Sequence, residues 1–247
     1  MIELFHSPKS TCSQKVRLAL AEKGLAYESR LIDLSKREQH TPEYLAINPN
    51  GVIPSLRHAG HAVRDSSVIC EYLDEVFPIP PLMSSDARAR AGVREWMRFI
   101  EEVPTAAIRV PTANQMFAKV IGAMSEAEFE KWSQNVSVRR DLYLLVRRAD
   151  FGDKDVREAL AKLDMTIRRV DAACAKSAWI AGDSYSLADI GLLPTIVRME
   201  DMGYAAMWSE MPNFSRWYMA AKERPSFKTA YFAGSRMDPS YKWSKVP

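Results

Sequence analysis

Asn48-Pro49-Asn50-Gly51-Val52-Ile53-Pro54-Ser55-Leu56 is the stretch on which the reading of this chain turns. An X-Pro bond leading into a strand is a candidate for a cis peptide, and that geometry exposes the preceding residue's backbone groups for pairing with an extended ligand. The alternative is a proline at the first position of an ordinary strand. Eleven residues beyond Pro54 comes Asp65-Ser66-Ser67-Val68-Ile69, an acid and a hydroxyl at a helix start. Both residue types cap helices. The same pair also suits a free α-amino acid: the helix N-terminus and Ser66 attract a carboxylate while Asp65 attracts an ammonium.

Working outward, Ile2 to His6 is a short apolar run closed by Ser-Pro and reads as a strand. A helix follows with Cys12, Val16, Ala19 and Leu20 on one face, ending at Lys23-Gly24. Ala26 to Asp33 carries a second strand. Pro54 to Arg57 and His61 to Arg64 form a hairpin about Ala59-Gly60, and Ser66 to Val76 shows helical spacing of Val68, Ile69, Tyr72, Leu73 and Val76. The order βαβ then ββα describes a small α/β domain over residues 1–79. Residues 77–86 hold three prolines and no periodicity, as a linker does.

From residue 87 to 247 the pattern is all-helical. Val93, Trp96, Met97 and Ile100 make one stripe; Val156, Leu160, Leu163, Ile167, Val170 and Cys174 make another. Pro104 and Pro111 are placed to break or kink helices. Ser125 to Glu128 forms a capping box, and Ser186 with Asp189 forms a second, stapled by Tyr185 and Ile190. The role expected of the second box is folding rather than chemistry.

The 247 residues carry 34 basic and 31 acidic side chains, and the arginine pairs at 139/140, 147/148 and 168/169 lie in polar helical stretches. They read as solvated faces, not a nucleic-acid surface. Cys12, Cys70 and Cys174 are too scattered for a metal site or disulfide framework, which points to a reducing, cytoplasmic setting. No leader-like N-terminus and no apolar run long enough to span a membrane is seen.

Strand, Ser-rich loop, helix, x-Ile-Pro, Asp-Ser at a helix start and a helical second domain with Ser-Leu-Ala-Asp together resemble the cytosolic glutathione transferases. The resemblance covers nearly the whole chain. It implies a thioredoxin-like N-terminal domain, an all-α C-terminal domain, and glutathione as the ligand. By that resemblance Ile53 pairs its backbone with the cysteinyl part of glutathione, Pro54 is cis, and Asp65 and Ser66 hold the γ-glutamyl end. A narrower similarity, carried by REQHTPEYLAINPNGVIPSL, RDSSVICEYLDEVFP, MSEAEFEKW and WIAGDSYSLADI, is to the bacterial β-etherases, which cleave β-aryl ethers of lignin-derived aromatics. The second domain is longer than a common transferase's by about one helical hairpin.

The loop Ser7 to Arg17 offers several groups to stabilise the glutathione thiolate. Matched along the following helix, Ser13 falls where theta-class enzymes and the β-etherases carry a serine, and it is the chosen candidate. Ser10 matches the zeta-class serine, and Cys12 the beta-class cysteine; both remain open, as do helix capping by either serine and simple burial of Cys12. His40 resembles the theta-class histidine near glutathione's glycine carboxylate. Val52 stands where that class has a lysine, so one cationic contact is missing. His6 reads as structural.

The resemblance implies a glutathione transferase using the thiolate to attack an electrophile, and specifically β-aryl ether cleavage. The alternatives are a zeta-like isomerase and a non-catalytic partner subunit. The expected partners are glutathione and a hydrophobic aromatic substrate, with no metal, nucleic acid or membrane, in a homo- or heterodimer. The acceptor pocket is expected between the domains, with Trp96, Phe99, Met116, Phe117 and Trp208 as candidate walls.

Overall fold

The computed structural model describes residues 1–116, 121–134, 138, 140–148 and 153–237. Four strands form one mixed sheet in the order β2-β1-β3-β4: β1 (Ile2–His6), β2 (Glu28–Leu31), β3 (Ser55–His58) and β4 (His61–Arg64). β1 runs parallel to β2 and antiparallel to β3, and β3 and β4 form the hairpin. The strands follow the predicted order, with β2 shorter than the apolar run implied and β3 starting one residue later. Alternation sorts the faces. Ile2, Leu4 and Leu56 enter the main core, while Phe5 joins Tyr44 and Ile53 in a small cluster on the opposite side.

Helices α1 (Thr11–Glu22) and α3 (Ser66–Val76) cover the first face. The second face is closed by a 3-10 turn at Glu38–His40 and the short helix α2 (Pro42–Leu45), neither of which hydrophobic periodicity revealed. Eight consecutive residues of α1, Ser13 through Leu20, are buried. That follows from its position, since α1 packs on α3 and also on the helical domain.

The linker is tied by one buried cation. Lys23 Nζ donates to the carbonyls of Phe77 (2.7 Å) and Pro80 (2.8 Å) and pairs with Asp74, which accepts from Leu82 N at 2.8 Å. Ile53-Pro54 is cis, as the family resemblance implied, and Ile79-Pro80 in the linker is cis as well.

The helical part begins with α4 (Ala87–Glu102), capped by Asp86 accepting from Ala89 N, followed by α5 (Pro104–Ala107) and α6 (Arg109–Met116). Pro104 opens a helix at its first position. Pro111 lies in the first turn of α6, where no intrahelical donor is lost, so it breaks nothing. Then come α7 (Glu126–Ser133), α8 (Arg140–Arg148), α9 (Asp153–Cys174), α10 (Leu187–Asp201), α11 (Pro212–Glu223) and α12 (Pro225–Ala230). Both capping boxes form. Helices α7 and α8 share their own apolar cluster, with Phe129, Tyr143 and Val146 buried and Trp132 packed against them. Among the described residues no helix is long and apolar enough to cross a membrane, and no group of acid, His and Cys side chains could hold a metal ion.

Candidate active site

The sheet register gathers the motif residues at one end. Phe5 pairs with Ser55 and Ser55 with Arg64, so the loop after β1, the Ile53-Pro54 bond and the Asp65-Ser66 helix start all leave the sheet on the same side. There a cleft of about 400 Å³ opens between the two domains. Its floor is the loop Ser7 to Cys12, with Gly51, Val52, Ile53 and Gln39 beside it. Its other wall comes from Ile108, Arg109, Thr112 and Ala113, from Leu142 and Tyr143 of α8, and from Arg198 of α10.

The Val52–Ile53 edge is set by a buried polar network. Tyr44 Oη donates to Val52 O at 2.7 Å and lies 2.9 Å from Ser55 Oγ, while Asn48 Nδ2 donates to both of the same atoms at 2.8 and 3.1 Å. Burial pushes the Tyr44 phenol up to about 12, so it stays protonated as a donor. Gly51 is required twice over: its φ is +59°, and a Cβ there would sit 2.7 Å from His40 Cδ2.

Asp65 caps α3, accepting from Ser67 N (2.9 Å) and Val68 N (3.1 Å). Both bonds go to Oδ1, so capping and an ammonium held by Oδ2 are compatible. Ser66 is buried as the first residue of α3. Neither residue is among those lining the 400 Å³ cleft; the two stand at the same end of the sheet, beyond Ile53 and Pro54. The adjacent Ser67 donates to Glu101 of α4, which also pairs with the buried Lys15 of α1. Burial works against both charges, yet their mutual attraction holds Lys15 above and Glu101 below their ordinary pKa values.

Two site expectations meet a different geometry. Ser13 is fully buried; its Oγ accepts from Ser7 N at 3.3 Å, beneath the loop, and it does not line the cleft. The loop residues Ser7 to Cys12 do, and among them Ser10 caps α1 by accepting from Ser13 N at 3.2 Å. His40 is turned behind Gly51, where its Nδ1 accepts from Trp132 Nε1 at 3.1 Å. Burial lowers its pKa, and its ring joins the α7–α8 hairpin to the first domain instead of facing the cleft. Gln39 faces the cleft in its place, with Oε1 buried and without a hydrogen-bond partner among the described residues.

His6 is structural, as expected. Arg17 has only donors, so His6 Nδ1 accepts from it at 3.2 Å and Nε2–H points to Ser29 Oγ at 2.8 Å. Of the aromatic wall candidates, Trp96 and Phe99 meet edge to face and both contact the Arg169 guanidinium, and Trp208 is core beside Phe214 and Tyr218. None of the three lines the cleft. The Met116 side chain and Phe117 lie outside the described residues.

Comparison with known proteins decides the family. Models of the glutathione S-transferase N-terminal domain and C-terminal domain match residues 9–76 and 147–220. The chain belongs to the glutathione transferase family. It is 28% identical over 245 residues to Protein LigF of Sphingobium sp. strain SYK-6, covering 96% of this chain and 95% of that one. It is 27% identical to glutathione S-transferase TCHQD of Arabidopsis thaliana, covering 95% and 92%. The crystal structure of β-etherase LigF superposes with a TM-score of 0.85 at 28% identity over 93% of this chain and 98% of that one. Glutathione transferase F7 of Populus trichocarpa, at 24% identity, shares the fold with a TM-score of 0.76 over 93% and 97%.

Proposed function

We propose that this glutathione transferase cleaves β-aryl ethers of lignin-derived aromatics. The observation that carries the reading is the interdomain cleft, in which the N-terminal end of α1 and the Val52–Ile53 edge face a mixed apolar and arginine wall. Near full-length likeness to β-etherase LigF supports the substrate class.

In this reading glutathione lies along Val52–Ile53, beside the cis Pro54, its cysteinyl backbone paired with Ile53. Asp65 takes the γ-glutamyl ammonium, and Ser66 with the start of α3 takes the neighbouring carboxylate. Gln39 replaces His40 as the side chain reaching toward the rest of the tripeptide. The thiol meets the loop at Ser10, whose Oγ lone pair caps α1 and whose O–H remains to donate to sulfur. Ser13, the original candidate, is sealed beneath the loop. A free thiol has a pKa near 8.5, and lowering it by about two units requires about 2.7 kcal/mol of preferential stabilisation of the thiolate. One hydroxyl donor and the first amides of α1 act together toward that.

The thiolate then attacks the carbon α to the aryl ketone. A carbon–sulfur bond forms, and the carbon–oxygen bond to the aryloxy group breaks with its electron pair on oxygen. Protonation yields a free phenol and a glutathione thioether. The wall of Ile108, Ala113, Leu142 and Tyr143 accommodates the aromatic rings. The division into a glutathione domain over 1–79 and an electrophile domain over 87–247 belongs to the same proposal, as does a dimer working in the cytoplasm.

The test is incubation with glutathione and a β-aryloxy ketone, following phenol and thioether together. Equimolar release of both is expected. Conjugation of an activated chloronitrobenzene without phenol release would leave a transferase of other substrate. Glutathione binding with no turnover of either would favour a non-catalytic partner subunit.

A further inference from the structure

Three consecutive carbonyls lead into Ser10, and each is held by an arginine. Arg17, rising from α1, donates to Ser7 O at 3.3 Å and to Pro8 O at 2.8 Å. The next carbonyl, Lys9 O, accepts from Nη2 of Arg198, which crosses from α10 in the helical domain. Arg198 is 3% exposed, and its Nη1 reaches Thr112 Oγ1 at 3.4 Å on the same cleft wall. A carbonyl oxygen facing a thiolate would repel it. Here the negative ends of these three dipoles are engaged by guanidinium N–H groups, at the peptide that immediately precedes Ser10.

We propose that Arg198 is a positioning residue for thiolate formation: the helical domain uses it to fix the Ser10 loop and to bring a buried positive charge to the sulfur end of the glutathione site. The proposal rests on the glutathione reading above, and adds that thiol ionisation depends on a residue of the other domain. Among the described residues, those facing Arg198 include the Lys9 carbonyl, Thr112 and Cys12, with Asp201 on its own helix and Tyr231 beyond α12. Asp201 is itself taken by Arg236 and by Met237 N, so its charge is shared. Arg198 lines the same cleft and donates to Lys9 O, so its charge stands beside the loop positions that face the cleft.

The test uses the full chain with glutathione, in Arg198→Gln and Arg198→Lys. Glutamine retains a donor for Lys9 O without the charge, whereas lysine retains the charge without the fork. Glutathione affinity is measured by calorimetry. The bound thiol's pKa is read from ultraviolet thiolate absorbance against pH, alongside the pH profile of kcat/KM for an activated chloronitrobenzene. Arg198→Gln should change glutathione Kd by less than about threefold while raising the thiol pKa by about one unit, with the rate profile shifting equally. Arg198→Lys should recover at least half of that shift, and Arg198→Met supplies the neutral variant if Arg198→Gln fails to fold. An unshifted thiol pKa in a folded neutral variant, or a shift in Arg198→Lys as large as in Arg198→Gln, overturns the proposal. Failure of the unmodified chain to bind glutathione would instead refute the underlying reading.

Discussion

Replacing Asp189 with alanine should cost about 4 kcal/mol of stability while leaving the glutathione site intact in the molecules that fold. Its carboxylate is fully buried and is the meeting point of three chain segments. It accepts from Ile180 N at 3.1 Å, Ser186 N at 2.9 Å, Ser186 Oγ at 3.0 Å and Trp217 Nε1 at 2.8 Å. The hydroxyl can rotate to another acceptor. The three N–H groups cannot, and an orphaned buried donor costs about 1–3 kcal/mol. Water entering the vacated space offsets part of this, which is why the expectation lies in the lower half of the range. Set against a typical total of about 5–15 kcal/mol, the loss is large enough to populate unfolded chain at moderate temperature. Asp189→Asn keeps one carbonyl acceptor but turns an amide toward another donor, and should fall between, near 2 kcal/mol. Urea unfolding gives the values through the midpoint at constant m, and calorimetry of the folded fraction gives glutathione affinity. A loss below about 1 kcal/mol for Asp189→Ala would refute the hub argument. So would loss of affinity at unchanged stability, since the carboxylate would then serve the ligand.

Four further outcomes are expected. Tyr44→Phe removes one of the two donors to Val52 O, so KM for glutathione should rise about three- to tenfold with kcat nearly unchanged, about 1 kcal/mol of binding by steady-state kinetics. Ser10→Ala should lower kcat/KM by at least about tenfold, whereas Ser13→Ala should act on stability alone; the reverse result in parallel assays would restore Ser13. Lys15→Met strands Glu101 and Glu101→Gln strands Lys15, each costing about 3 kcal/mol in urea, while the double variant Lys15→Met/Glu101→Leu should recover part of the loss. His6, held neutral by burial and then by the Arg17 charge, has its pKa lowered from 6.5 to about 4. The unfolded chain therefore takes up the proton first as pH falls. The contribution is fully present above pH 6.5 and is lost toward pH 4, to a total of roughly 3 kcal/mol, so His6→Asn should flatten the acid limb of stability against pH.

What was legible in the sequence was local. The Ile53-Pro54 bond, the helix Ser66–Val76 and the capping box at Ser186 depend on neighbours within a few residues, and each formed where the pattern put it. Position along a helix carried less. The match along α1 put Ser13 where theta-class enzymes and the β-etherases carry a serine, but whether its Oγ emerges depends on the path of the preceding loop, and that loop folds over it to bring Ser7 N onto the hydroxyl. His40 could not be read at all without Trp132, 92 residues away, nor could Arg198 without Lys9, 189 residues away. Gln39 and Tyr44 carried a weak signal, polar groups amid residues that form a buried turn. Trp96, Phe99 and Trp208 stand away from the cleft for a plain reason: a large apolar side chain at helical spacing is satisfied by core or by a cation, as Trp208 and Trp96 are.

The α7–α8 hairpin makes the two substrates' sites mechanically inseparable. One of its side chains, Trp132, is fastened to His40, which rests against Gly51 and so backs the strand edge on which the proposal lays the tripeptide. Its other contribution, Leu142 and Tyr143, is the surface an aromatic acceptor would meet. Reshaping that surface for a new electrophile pulls on the peptide edge through the histidine. A search for altered acceptor preference in this chain will therefore trade against its hold on glutathione unless the Trp132–His40 joint is kept.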